Sequence, residues 1–74
     1  MAKEISYVIH ETVATLSTSA GGRRKELNLI SWNGAAPKYD IREWAPDHEK
    51  MGKGITLSEE EAVVLVTVLK NRIK

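Results

Sequence analysis

Cysteine is absent from the 74-residue chain, so no disulfide can staple the fold and thiolate chemistry is excluded. Histidine is scarce. His10 and His48 lie 38 positions apart, with no carboxylates at ligand spacing, so neither a metal nor a cofactor is expected. No run approaches the roughly 18 apolar residues of a membrane span. The opening MAKEISYVIHE has one lysine followed by alternating residues, not the apolar stretch of a signal peptide. A cytoplasmic protein without membrane contact is expected. Repeats, low-complexity segments and linkers are missing, and so is the G-x-x-x-x-G-K-[ST] pattern of a phosphate-binding loop. No nucleophile pattern surrounds either histidine and no carboxylates pair around a pocket, which argues against an enzyme.

Strong charge is lacking too. The net charge is +1, so bulk electrostatics gives no argument for nucleic acid, and any anion-binding surface must be made by arrangement. Residues 23–53 hold seven of the eleven cations against five acids, whereas residues 56–74 balance three against three. The chain is one small domain. At this size folding buries only about 60% of the unfolded surface, near the lower limit of independent stability. Without disulfides or metal, oligomerisation is the remaining common means of support.

What is present is mostly alternation. Ile5, Tyr7 and Ile9 alternate with polar neighbours, as in a half-buried strand. The pattern slips around His10–Thr12 and resumes at Ala14 and Leu16, which a bulge or bend explains. STSAGG, 17–22, reads as a turn. A second strand runs over Arg23–Trp32, with Leu27 and Leu29 on one face and Arg24, Glu26, Asn28, Ile30 and Trp32 on the other. NGAAP, 33–37, predicts a reversal, after which KYDIREW, 38–44, forms a third, antiparallel strand. Residues 45–54 read as a polar loop and Ile55–Leu57 as a short fourth strand.

Ser58 followed by Glu61 is a capping box, in which each residue satisfies a backbone N–H of the other. Three glutamates then suit the positive end of a helix dipole, and Lys70, Arg72 and Lys74 suit the negative end, which predicts a helix over 59–72. Ala62, Leu65, Val66, Leu69 and Ile73 make one apolar stripe, enough to cover a sheet face. Val63, Val64 and Val68 widen it beyond what one small sheet needs. A homodimer interface on Val63, Val64, Leu65, Val68 and Leu69 is expected to cover the excess.

If Leu27, Leu29, Tyr39 and Ile41 face that helix, period two places Arg24, Asn28, Trp32, Lys38, Arg42 and Trp44 together on the opposite face. Two indoles among cations on an open sheet suit single-stranded nucleic acid, whose unpaired bases stack on aromatics while cations follow the phosphates. Blander readings stand beside this one. Trp32 with Ile30 also suits a second small core, Arg42 with Asp40 and Lys38 a surface ion-pair ladder, and Arg23–Lys25 a solvated charge run. Asp40 counts against a phosphate track unless it holds Lys38 or Arg42 in place, or accepts from a base.

DIREW and GKGITLSEEE together resemble the single-stranded-DNA-binding domain of the eukaryotic coactivator positive cofactor four. There an IREYW-like strand is followed by a loop and a GKGI-S/T-L segment leading into the last helix. From about residue 4 to 72, through RKELN, SWN, PKYDIR and DHEKMGKGITLSEEE, the chain is similar to short bacterial relatives of the YdbC family. The resemblance implies an α+β fold, a four-stranded antiparallel curved sheet followed by one C-terminal helix, dimerising through the helices. It implies non-enzymatic, largely sequence-independent binding of single-stranded DNA, in transcription regulation or DNA maintenance. The family's basic strand residue falls on Arg42, its loop lysine on Lys53 and its stacking aromatic near Trp32; its strand-end aromatic comes one residue after Trp44. Arg24, Lys25, Asn28, Lys38 and Trp44 complete the expected contact set. The coactivator's acidic, serine-rich extension has no counterpart here, so coactivation and its phosphorylation control are not implied. Stacking surfaces do not separate DNA from RNA. A dimeric protein-interaction module docking a partner on Trp32 and Trp44 is the competing reading.

Overall fold

The computed structural model describes residues 5–73. Four strands, β1 (Tyr7–Thr18), β2 (Arg24–Trp32), β3 (Lys38–Trp44) and β4 (Met51–Leu57), pair antiparallel in sequence order, and α1 (Glu59–Arg72) follows. The α+β meander and the helix bounds are those expected; Lys74 lies outside the described residues.

The β2–β3 reversal is local chemistry. Asn33 and Gly34 both take positive φ (50° and 78°), and the Ala35 N–H donates to the Trp32 carbonyl at 2.8 Å. Two successive left-handed residues match a hairpin to the right-handed twist of its strands, which is why Asn-Gly is favoured there. The helix start is equally local: the Ser58 hydroxyl accepts from the Glu61 N–H, and the Glu61 carboxylate accepts from the Ser58 N–H at 2.8 Å.

The fourth strand starts at Met51, four residues before its expected start at Ile55, so GKG is part of the sheet. Gly54 lies opposite Arg42, and a Cβ there would sit 2.5 Å from the Ile41 carbonyl oxygen and 2.6 Å from the Arg42 Cβ. Only glycine lets β4 approach β3 this closely.

β1 carries the expected bulge after Ile9 and two more, between Thr12 and Ala14 and between Thr15 and Ser17. Each inserts a residue, bends the strand and increases local twist. The result is a sheet curled along its strands. Tyr7 pairs with Trp32 at one end of β2, and Trp44 pairs with Arg24 at the other. Eight residues of flat strand would separate those ends by about 26 Å. Yet the Tyr7 and Trp44 ring centroids are 5.7 Å apart. The two ends therefore meet across the concave face.

That curl decides where the core is. Ile30 and Trp44 are buried on the concave face with Glu26, Asn28 and Asp40, all of them on the even-numbered side of β2 and β3. The expectation of an open even face is corrected: in the single chain it is the lined interior of the curl. The opposite, convex face carries Leu27, Tyr39, Ile41 and Leu57, which with Ala62 and Leu65 of α1 line an apolar groove. The expected placement of Leu27, Tyr39 and Ile41 toward the helix holds. The helix buries none of its residues, however, and touches only β3 and β4.

Candidate nucleic-acid interface

Period two brings Arg24, Glu26, Asn28, Trp32, Asp40, Arg42 and Trp44 to the concave face, but burial sorts them into floor and rim. On the floor, Trp44 is 0% exposed. It packs against Tyr7 at 5.7 Å and against His48 of the β3–β4 loop at 5.4 Å. The expectation that Trp44 presents a stacking surface is corrected, because the curl and the loop cover the ring. Asn28 is likewise 0% exposed; its Nδ2 donates to Glu26 at 3.1 Å, and its Oδ1 has no hydrogen-bond partner among the described residues.

Glu26 anchors the floor. Its carboxylate accepts from Arg24 Nε at 3.0 Å, from Asn28 Nδ2 and from His48 Nε2 at 3.0 and 3.1 Å. Burial pushes its carboxyl up. The hydrogen bonds from His48, Asn28 and Arg24, with the charge on His48, outweigh that and hold it below the ordinary carboxylate range. His48 Nε2 lies against both Glu26 oxygens, and Nδ1 is 3.5 Å from an Arg24 NH2. His48 has a φ of +62°. This cluster thus ties an otherwise polar loop to β2 and lays it over Trp44.

Asp40, also 0% exposed, organises the opposite wall. It accepts from Arg42 Nε and NH2, both at 3.0 Å, and from the Thr56 hydroxyl at 2.9 Å. Arg42 NH1 donates to the Gly52 carbonyl at 3.1 Å. The Arg42 guanidinium carbon lies 5.2 Å from the Trp32 ring centroid, within cation–π range. Asp40 therefore holds Arg42, one of the roles left open by the sequence.

The rim is where the concave face meets solvent. Trp32 is half-buried there, 5.6 Å from the half-buried Tyr7. Lys38 pairs with Ile30 and is exposed beside Trp32, and Arg24 keeps about a third of its side chain exposed. Lys53 is exposed at the β3–β4 irregularity, next to the Gly52 that Arg42 grips. Lys25 alternates onto the convex face, across from Glu43, so it does not share a face with Trp32. Sequence reading missed Tyr7, Glu26 and His48. Tyr7 reads as a core aromatic, and nothing in DHEK announces that its histidine folds back onto β2.

Two comparisons bear on this arrangement. A protein of Treponema pallidum (strain Nichols) that carries no functional name is 48% identical over 68 residues, covering 92% of this chain and 80% of that one. The sequence profile of Transcriptional Coactivator p15 (PC4) matches residues 19–68, which span β2, β3, β4 and α1 as far as Val68 and leave all of β1 outside. That family is one of nucleic-acid-binding, non-catalytic proteins. With the four-stranded meander, the single capped helix and a match over more than half its length, the chain belongs to the transcriptional coactivator p15 (PC4) family.

Proposed function

We propose that the protein binds single-stranded DNA without catalysis and with little sequence preference, as a homodimer. The observation that carries the reading is the half-buried Trp32 at the rim, flanked by Tyr7, with exposed Lys38 beside it, in a chain of a nucleic-acid-binding family. An unpaired base has a face to lay on such a ring, at roughly 1–3 kcal/mol per stack, while Lys38 and Lys53 meet phosphates. Duplex DNA hides its base faces, and its major groove takes a helix or ribbon in place of a rim of rings.

The second protomer in this reading seats on α1. Val63, Val64, Leu65, Val68 and Leu69 are all exposed in the single chain, and fully burying a side chain of this kind contributes about 1.5–3 kcal/mol. We place the activity in the cytoplasm, in transcription regulation or DNA maintenance.

The test is a tryptophan-fluorescence titration with oligo-dT at low and moderate salt, beside the same sequence as duplex and as RNA. Quenching by the single strand that weakens with salt, with little response to duplex, is expected. Equal quenching by oligo-U would widen the ligand to RNA. No quenching at low salt would overturn the reading and favour a protein-docking module, for which the exposed helix stripe is the supporting feature.

A further inference from the structure

The resemblance places the family's basic strand residue on Arg42, among cations expected to follow phosphates. The geometry points to a different job: Arg42 is a positioning residue that fixes Trp32 at the rim and leaves phosphate neutralisation to other cations. This inference rests on the single-strand reading above.

Three observations carry it. First, the guanidinium is already committed. Nε and NH2 grip both oxygens of Asp40, NH1 grips the Gly52 carbonyl, and only 16% of the side chain is exposed. A charge matched by a wholly buried carboxylate offers a phosphate little net attraction. Second, its flat face is spent on Trp32 at 5.2 Å. Third, that contact is long-range within the sheet. Arg42 pairs with Glu26, six residues along β2 from Trp32, so the stack is made across the curl. The chain Thr56–Asp40–Arg42–Trp32 therefore links β4 and β3 to the far end of β2. At the rim, Lys38 and Lys53 are exposed and make no ion pair among the described residues, which leaves them free to follow a phosphate track.

Two variants separate the roles. Arg42→Lys keeps the charge and loses the planar fork that bridges Asp40 and covers an indole. Arg42→Gln with Asp40→Asn removes both charges together and so leaves no unpaired carboxylate in the interior. Each is titrated with oligo-dT over a salt series, and folding is checked by circular dichroism. If Arg42 positions Trp32, Arg42→Lys lowers affinity by about tenfold, the scale of one weakened base stack. The double variant then keeps the wild-type slope of log K against log salt, because no phosphate partner has been lost. If Arg42 neutralises a phosphate, Arg42→Lys retains affinity and the double variant's slope flattens by about 0.7; either result overturns the proposal.

A second readout needs no DNA. Arg42→Lys is expected to shift tryptophan emission to the red, and the shift should vanish in a Trp32→Phe background, where only buried Trp44 reports. An unshifted spectrum would sink the positioning role even if oligo-dT fails to bind the wild type. Failure of the single-strand reading is thereby distinguishable from failure of this one.

Discussion

Trp44 gives the most direct test of the curled sheet. Its side chain has no exposed surface and joins the end of β3 to Tyr7 and His48. Truncation to alanine removes a wholly buried indole, at a cost of about 3–5 kcal/mol. A domain of this length is stable by about 4–11 kcal/mol at typical per-residue values, so Trp44→Ala brings the fold close to collapse. Trp44→Phe is the informative change. It keeps a ring against Tyr7 while losing part of the packing, with an expected cost of about 1–3 kcal/mol. With a urea m-value near 1 kcal/mol/M for so small a protein, the unfolding midpoint falls by about 1–3 M. The measurement is urea unfolding followed by far-UV circular dichroism at one fixed protein concentration, because the proposed dimerisation would couple to stability. Below the transition, oligo-dT affinity is expected to match wild type, since the ring is covered. An unmoved midpoint with lost affinity would refute the reasoning, returning Trp44 to the binding surface and breaking the geometry that buries it.

Acidification probes the floor of the interior. Glu26 has its carboxyl held below its ordinary value of 4.5 in the folded chain, so its contribution is fully present above that pH and is lost as pH falls through the lowered folded value. The stability gap between wild type and Glu26→Gln, measured by denaturation from pH 7 to 2.5, is expected to hold above 4.5 and close below it; a gap that widens on acidification refutes the assignment. Gly54→Ala drives a methyl group to 2.5 Å from the Ile41 carbonyl oxygen, a backbone clash expected to cost about 1–3 kcal/mol, read as a lower melting temperature with loss of amide protection along β3 and β4. Val64→Glu places a charge on the exposed face of α1; if the proposed dimer forms there, wild type gives a dimer mass in light scattering and the variant a monomer mass. An unchanged dimer mass would move the interface off the helix.

Much of this architecture is written in local pattern. The helix over 59–72 follows from Ser58, Glu61 and the charge gradient, since a capping box and a dipole are satisfied within one turn. The Asn33–Gly34 hairpin follows because two positive-φ residues are tolerated there at little cost. Alternation also settles which side chains share a face: Asp40 and Arg42 meet on one side, and Leu27 and Ile41 line the groove under α1 on the other. Family membership was legible in DIREW and GKGITLSEEE, both inside the matched region.

Which face is covered was decided by tertiary structure alone. Period two labels the sides of a strand without saying which way the sheet bends. That depends on three bulges in β1 acting together and on Tyr7 meeting Trp44, 37 residues away in sequence. Buried polar groups need partners, and some of these are local: Asp40 finds Thr56 directly opposite on β4, and Glu26 finds Arg24 and Asn28 along its own strand. The His48 bond to Glu26 is different, because it forms only when the β3–β4 loop folds back onto β2. Local pattern was enough for the elements and their order of pairing, because those rest on neighbouring residues. The curl turned an expected open platform into a lined interior with Trp32 at its rim, because curvature is a property of the whole sheet.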